Sequence, residues 1–176
     1  MRVWDLAVRV LHWALVASVA LAWTTTESLV RWHQPVGYAA VALVAARLAW
    51  GFVGGGRYAR FSQFVRRPSA TWRYARLALR GREPRYLGHN PLGAWMALAL
   101  IGTVAALGLT GWLYTTDLLW GDETVERLHR GLAWTIVALA AIHVGGVVFA
   151  SLRHRENLVA SMFDGRKRPA RDGDVF

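Results

Sequence analysis

Six histidines are the side chains of this sequence best suited to chemistry, and four of them lie in long apolar stretches. The four are His12, His33, His129 and His143, and the other two are His89 and His154. An ionisable residue is costly in a membrane, so it is a functional candidate by default. The sequence contains no cysteine, which excludes thiolate-bound zinc, iron–sulfur clusters and covalently attached haem.

The spacing of the four histidines places them at two depths. His129 and His143 are 14 residues apart, which is about four helical turns, so their rings face nearly the same way about 21 Å apart. If successive apolar stretches cross a membrane in opposite directions, His33 lies at the same surface as His129. His12 then lies at the depth of His143. The sequence therefore predicts two matched pairs, His12–His143 and His33–His129.

Two imidazoles from different helices at one depth can hold a flat group between them. Haem iron with two axial histidines has this chemistry, so the pairs predict two non-covalently bound haem b groups. For a single histidine, the alternative is a hydrogen bond between helices. The other alternative is a metal ion, but that needs three or four converging ligands, and almost all acidic residues lie outside the apolar stretches.

Arginines and glycines near these histidines are candidates for contacting the haems. The arginines predicted to bind propionates are Arg9, Arg47 and Arg130. Arg9 and Arg130 lie within one turn of a paired histidine, whereas Arg47 lies about four turns beyond His33 on the same helix face. Arg47 has an alternative role, in which its side chain extends to the membrane surface. Small residues let a macrocycle approach a helix, and those placed for it are Gly37, Gly102, Gly108 and Gly111.

Charge-free apolar stretches predict the helices that carry these residues. Hydrophobic residues make up 55% of the 176-residue chain and charged residues 18%, against about 25% charged in soluble domains. The stretches lack the polar face of soluble helices, and a bilayer needs about 20 apolar residues per helix. We therefore predict an all-α integral membrane protein, a four-transmembrane-helix bundle holding two haems. The predicted spans are about 8–26, 33–53, 91–114 and 129–152.

The distribution of lysine and arginine predicts the orientation. Of the 21 such residues, 17 lie in the N-terminal arm, in the loop at 54–90 and after residue 152. The opposite side has only Arg31, Arg127 and Arg130. Because basic residues concentrate on the cytoplasmic side, both termini and the long loop are expected there. The net charge of +10 thus reflects topology, and no nucleic-acid partner is expected.

The cytoplasmic loop contains a predicted amphipathic helix at about 69–80. Pro68 and Ser69 can begin it. Trp72, Ala75 and Leu79 share one face, with arginines on another, which predicts an interfacial helix on anionic lipid.

The remaining expectations concern the ends of the spans and the organisation of the chain. Asn90 and Pro91 are suited to begin the third span. His89 is expected at an interface or in proton handling, and His154 as a solvated tail residue. Residues 1–152 are predicted to form one membrane domain, followed by a basic cytoplasmic tail at 153–176.

An ordered set of short stretches resembles the bacterial cytochrome b561 family, which includes the b-type cytochrome subunits of nickel–iron hydrogenases. The similarity runs from about Val3 to Leu152, and its specificity lies in the set rather than in any single motif. The stretches are Arg9-Val10-Leu11-His12-Trp13, His33 with Gly37 and Arg47, Gly88-His89-Asn90-Pro91-Leu92-Gly93, and His129 with Gly131 and His143.

The resemblance implies a di-haem cytochrome of the bacterial inner membrane, with the four matching histidines as axial ligands. It also implies electron transfer between the quinone pool and a partner, either a periplasmic cytochrome c or a hydrogenase. The chain would then be an electron-transfer protein or a quinone-linked oxidoreductase subunit, and its expected contacts are lipid, quinone or quinol, and a redox protein. Quinone binding is expected around His12, His89 and Arg47.

Two alternative functions come from other classes. One is a membrane anchor or assembly subunit of a redox complex without its own electron-transfer role. The other is a small transporter or haem carrier, for which repeat symmetry would be expected and is not evident in the sequence.

Overall fold

The structure, a computed structural model, describes residues 1–26, 29–54 and 56–175. Within these ranges the chain is helical, with two isolated β-bridges and no strand. The helices are α1 (Leu6–Thr24), α2 (Val30–Val53), α3 (Phe61–Phe64), α4 (Pro68–Leu79), α5 (Pro91–Leu113), α6 (Glu123–His154) and α7 (Leu158–Asp164).

Four of the described helices are long and apolar enough to cross a membrane. They are α1, α2, α5 and α6, and their most apolar windows have mean hydropathies of 1.7 to 2.1. No more than 17% of the residues in any of these windows are buried inside the protein, so most of their side chains are left for lipid to cover. The prediction of an all-helical protein with four membrane spans is confirmed.

The chain forms two compact units. We call the first the membrane unit, which comprises Val10–Leu48 and Ala99–Ala141. The second is the basic unit, which comprises Met1–Arg9, Ala49–Leu98 and Ile142–Phe176 and contains 17 of the 21 lysines and arginines.

The core of the membrane unit is small and entirely aliphatic. Ala40 and Val44 of α2 are buried with Val104 of α5 and Ile136 of α6. Gly108 permits the close approach of α5 to α2, because a Cβ at this position would overlap the side chain of Val41. Small residues allow such contacts between membrane helices, where packing rather than water exclusion drives association.

The basic unit combines a small apolar core with a buried ionic network. Its core contains Val3, Trp4, Val8 and Ala59. Arg85 is buried and pairs with Glu156 at 2.6 Å and with Asp174 at 2.5 Å. Buried charges persist only when they are paired and hydrogen-bonded, so this network ties the loop before α5 to the C-terminal residues.

The segment after residue 152 is folded rather than extended. Asn157 caps α7 by accepting a hydrogen bond from the Ala160 amide at 2.8 Å. The carbonyl of Gly165 accepts from the Val3 amide at 2.8 Å, so the C-terminal segment packs on the N-terminal arm. The Asn90 side chain likewise accepts from the Gly93 amide at 2.7 Å, which caps α5 at the position the sequence predicted.

Candidate functional site

His33 and His129 face each other within the membrane unit. His33 lies in the first turn of α2, and His129 lies in the second turn of α6. Their ring centroids are 6.1 Å apart, and the ring planes are inclined by 77°. Both side chains are half-buried. The structure therefore brings together the two histidines that the sequence pairs at the outer depth.

A backbone carbonyl fixes the tautomer of His33. The Nδ1 atom of His33 lies 2.9 Å from the carbonyl oxygen of Ala22 in α1. A carbonyl oxygen only accepts hydrogen bonds, so Nδ1 carries the proton. The Nε2 atom of His33 then keeps its lone pair, which is the form of imidazole that binds a metal.

A threonine hydroxyl hydrogen-bonds the Nδ1 atom of His129. The Oγ1 atom of Thr110 in α5 lies 2.9 Å from Nδ1 of His129, and it lies 2.9 Å from the Ala106 carbonyl and 3.1 Å from the Leu107 carbonyl. In the tautomer with the proton on Nδ1, the hydroxyl oxygen accepts that proton and its own proton goes to one of the two carbonyls. This is the tautomer whose Nε2 atom can bind a metal. Metal-ligating histidines usually show such a second hydrogen bond.

The separation of the two rings fits one metal ion between them. A metal–imidazole bond is about 2 Å long and the ring centre lies about 1 Å behind the nitrogen, so two axial imidazoles on one metal have centroids about 6 Å apart. The observed 6.1 Å agrees with this value. Among the described residues, no cluster of three or more His, Cys, Asp or Glu could hold a metal ion. The arrangement therefore suits an iron that draws its remaining ligands from a macrocycle.

Glycines near the pair leave space at two helix surfaces. A Cβ at Gly111 would lie 3.3 Å from Cε1 of His129, so the absence of a side chain lets α5 approach the imidazole. Gly37, one turn after His33, has no atom of another element within 4 Å of a Cβ built there. This open position next to His33 is compatible with a flat macrocycle. Gly102 is open in the same sense, but it lies two turns or more along α5 from Gly111.

His12 and His143 lie in different units, and their pairing stays a prediction from the sequence. His12 is half-buried in α1, and its ring meets Trp13 edge-on at 5.2 Å. His143 is half-buried in α6, in the part that belongs to the basic unit.

The three arginines predicted to bind propionates have different surroundings. Arg9 donates through its guanidinium to the carbonyls of Asp5 and Phe163. Arg130 is exposed and pairs with Glu126 one turn earlier in α6. Arg47 is half-buried in α2. The propionate role of all three stays a prediction.

His89 lies in an aromatic setting in the basic unit. Its ring centroid is 4.9 Å from that of Trp4 and 4.5 Å from that of Phe64. It borders an open cleft that is also lined by Tyr58, Phe64, Arg66 and Tyr86. An imidazole among aromatic rings at an open cleft can hydrogen-bond a planar ligand and exchange protons with it.

A second cleft of about 300 Å³ in the same unit contains charged groups. His154 lines it together with Glu156 and Lys167, so His154 is part of a wall rather than of a solvated tail. Burial lowers the pKa of Lys167 to about 8, and its ammonium group lies 5.4 Å from the centre of the Trp4 ring. Sequence patterns did not identify this cluster, since its members are far apart along the chain.

Comparisons with known proteins point to one family. The sequence profile described as prokaryotic cytochrome b561 matches residues 3–165. Two relatives, from Rhodobacter capsulatus and Azotobacter vinelandii, are each named a probable Ni/Fe-hydrogenase B-type cytochrome subunit. The first is 32% identical and its match covers 48% of this chain and 40% of the relative. For the second, the identity is 28% and the coverages are 76% and 65%.

The chain thus spans less than two thirds of the length of either relative. No solved structure is significantly similar to it.

Proposed function

Because the chain belongs to the prokaryotic cytochrome b561 family, we propose that it is a di-haem b-type cytochrome that moves electrons across the membrane. Its function would be to connect the quinone pool with a redox partner protein. The observation that supports this most directly is the His33–His129 pair, with both Nδ1 atoms bound to protein oxygens and centroids 6.1 Å apart.

The protein groups around this pair suit electron transfer. Haem b, when bound, supplies a one-electron iron couple. Two histidine ligands leave no coordination position for oxygen, which favours electron transfer over oxygen chemistry. The Ala22 carbonyl and the Thr110 hydroxyl hold the two imidazoles in fixed orientations and make them more basic.

The second haem is proposed to lie between His12 and His143. His143 follows His129 by 14 residues, about 21 Å along α6, so two haems would form a chain through the bilayer. Arg9, Arg47 and Arg130 are proposed to bind propionates, with Gly37 beside one macrocycle. For Arg9 and Arg130 this requires the guanidinium to share its present protein partners.

The proposed substrate is a quinol or quinone, and its proposed binding site is the cleft beside His89. Oxidation of a quinol releases two electrons and two protons, so the site needs a group that accepts protons. The imidazole of His89 can do this, and the rings of Tyr58 and Tyr86 also line the cleft, where they can pack against a planar head group. This extends the expectation for His89 and leaves the roles of His12 and Arg47 in quinone binding as predictions.

The partner and the location are proposals of the same kind. The relatives are named as hydrogenase subunits, so the proposed partner is a hydrogenase-like protein or a cytochrome c. The chain is a multi-pass membrane protein of the b561 family. The bacterial inner membrane, with the basic unit in the cytoplasm, is proposed from the distribution of arginine and lysine.

The test is a reduced-minus-oxidised absorbance spectrum of the purified protein, with haem quantified per chain. Two b-type haems that quinol reduces would support the proposal. Normal membrane insertion without haem, in haem-replete cells, would overturn it and favour an anchor subunit. Rapid exchange of the haem with an external acceptor would favour a haem carrier.

A further inference from the structure

Helix α4 uses one of its sides for packing and leaves another uncovered. Tyr74 is 7% exposed and its ring meets Tyr86 edge-on at 5.5 Å. Trp72 and Leu79, in contrast, are 65% and 89% exposed. At about 100° per residue, Trp72, Ala75 and Leu79 form one strip along the helix, nearly opposite Tyr74. We call these three residues the apolar strip.

Three arginines flank the apolar strip. They are Arg73, Arg76 and Arg80, and all three are exposed. The same angular spacing places them beside the strip, between it and the side that Tyr74 occupies. Within the described part of the chain, no carboxylate forms an ion pair with any of them. The free side of α4 is therefore amphipathic and positively charged.

The unit to which α4 belongs also contains one end of each of the four membrane spans. These are residues 6–9 of α1, 49–53 of α2, 91–98 of α5 and 142–154 of α6. Phe52 and Val53, the last residues of α2, are also strongly exposed. Tyr74 of α4 lines a cleft together with Asn90, which caps α5, and with Ala150 of α6, so α4 lies beside the ends of two of these spans.

We propose that α4 lies in the surface of the bilayer and binds anionic phospholipid. Trp72 and Leu79 enter the region between head groups and acyl chains, and the three arginines bind lipid phosphates. Tryptophan favours the head-group level. Arginine side chains can extend along apolar surface to reach an anionic group. The side occupied by Tyr74 holds the helix on the protein, so α4 couples the basic unit to the membrane surface.

The size and charge of this surface favour lipid over a protein partner. A stable protein–protein interface buries about 800 Å² on each side, whereas the apolar strip consists of three residues on a 12-residue helix. The three exposed arginines beside the strip match a negatively charged surface. An anionic phospholipid layer has acyl chains for the apolar strip and phosphates for the arginines, and the two regions adjoin at the depth where an interfacial helix lies.

The absence of cysteine from the sequence allows a direct test in the haem-loaded protein. Leu79→Cys carries one nitroxide label in nanodiscs, and electron paramagnetic resonance measures its collisions with dissolved oxygen and with a water-soluble nickel chelate. With phosphatidylglycerol in the nanodisc, the label at 79 is expected to collide more often with oxygen, which dissolves in the acyl chains, than with the nickel chelate, which stays in water. A label on Asp172→Cys, at an exposed position in the C-terminal segment, is expected to favour nickel.

Charge-matched variants separate α4 from the general positive charge. Arg73→Gln/Arg76→Gln/Arg80→Gln is expected to raise the nickel accessibility of residue 79 by about two-fold or more, because the helix loses its phosphate contacts. Arg155→Gln/Arg166→Gln/Arg171→Gln removes the same charge from exposed positions elsewhere and is expected to leave that accessibility unchanged. Haem absorbance checks the folding of each variant, and Trp72→Cys provides a second label position.

Two results would overturn the proposal. One is equal nickel accessibility of residue 79 in anionic and in purely zwitterionic nanodiscs. The other is shielding of the label from both reagents, which would mean that protein rather than lipid covers the apolar strip.

Discussion

The hydroxyl oxygen of Thr110 lies 2.9 Å from Nδ1 of His129 across the contact between α5 and α6. The same hydroxyl lies 2.9 Å from the Ala106 carbonyl and 3.1 Å from the Leu107 carbonyl. With the hydroxyl proton on one of these carbonyls, the oxygen accepts the Nδ1 proton and the Nε2 atom of His129 can bind iron. A side chain on one helix thus sets the chemistry of a ligand on another.

Thr110→Val removes this acceptor while keeping the shape of the side chain. We expect haem affinity at the His33–His129 site to fall by about 10- to 100-fold, the usual cost of losing such a hydrogen bond. The midpoint potential of that haem should rise, because a less basic imidazole stabilises ferric iron less. A redox titration with haem quantification measures both. Thr103→Val is the matched control, since its hydroxyl donates only to the Ala99 carbonyl in the same helix.

The two histidine pairs predict a specific pattern of haem loss. His33→Ala or His129→Ala should reduce two haems per chain to one, and the double variant should also retain one, because both residues serve the same iron. His12→Ala combined with His33→Ala should leave none. Pyridine haemochrome assays give the count, with His154→Ala as a control that keeps both haems. A double variant at 33 and 129 without haem would contradict the assigned pairs.

The close approach of α5 to α2 at Gly108 and Val41 should make the bundle unstable when residue 108 has a larger side chain. Gly108→Ala introduces a Cβ that overlaps Val41, and overpacking of this kind costs about 1–3 kcal/mol. Adding Val41→Ala should recover part of the loss. Thermal unfolding in detergent, followed by the haem Soret band, measures the difference. Gly102→Ala is the control, since a Cβ there meets no protein atom within 4 Å. If Gly102→Ala lowers the unfolding temperature as much as Gly108→Ala does, the explanation from the Val41 overlap is wrong.

The buried pair of Arg85 and Glu156 should make the basic unit sensitive to acid. Burial acts to raise the pKa of Glu156, but the hydrogen bonds from Arg85 and from the Arg168 amide, together with the charges of Arg85 and Lys167, outweigh it and lower the pKa below its ordinary value of 4.5. A depressed carboxyl pKa stabilises the fold above the ordinary value, and this stabilisation is lost as pH falls from there toward the folded pKa. Hydrogen exchange of residues 156–175 at pH 7 and pH 4 should show the loss.

Glu156→Gln should destabilise the basic unit at pH 7 by about 3–5 kcal/mol, because it leaves Arg85 buried with less compensation. It should also flatten the response to acid. Glu123→Gln breaks an exposed pair with Arg127, and its effect should stay within about 1 kcal/mol. Equal changes in stability for the two variants would show that the buried network stabilises the protein no more than an exposed ion pair does.

The proposed orientation can be tested with single cysteines. Asp172→Cys in the basic unit should react with a membrane-impermeant maleimide only when the cytoplasmic surface is accessible, as in inverted vesicles. Leu118→Cys, an exposed position between α5 and α6, should react in right-side-out preparations. The reverse pattern would place the basic unit outside.

Parts of this structure could be read from the sequence because they depend on local patterns. The four spans follow from apolar runs, and the facing of His33 and His129 follows from their positions at the ends of neighbouring runs. The first turns of α6 were harder to predict from hydropathy, since they are charged. Asp122 caps this helix by accepting from the Val125 amide at 2.9 Å, so it begins at Glu123, before the apolar run.

Other parts could not be predicted because they depend on which distant residues meet. The Ala22 carbonyl and Thr110 are ordinary residues in sequence and become important only through helix packing. The residues after 152 have the composition of a solvated basic tail, yet Lys167 is buried beside Trp4. A burial pattern of this kind arises from contacts that no periodicity reveals.

The division of the chain into two units has a consequence for biosynthesis. The groups that form the His33–His129 site lie before residue 142, whereas the basic unit needs residues as late as Gly165 and Asp174. The ribosome synthesises the chain from the N-terminus to the C-terminus, so this ligand pair can assemble while the later residues are still being added. The N-terminal arm must wait for the last segment before its partners exist. Cofactor loading at this pair can therefore precede closure of the basic unit.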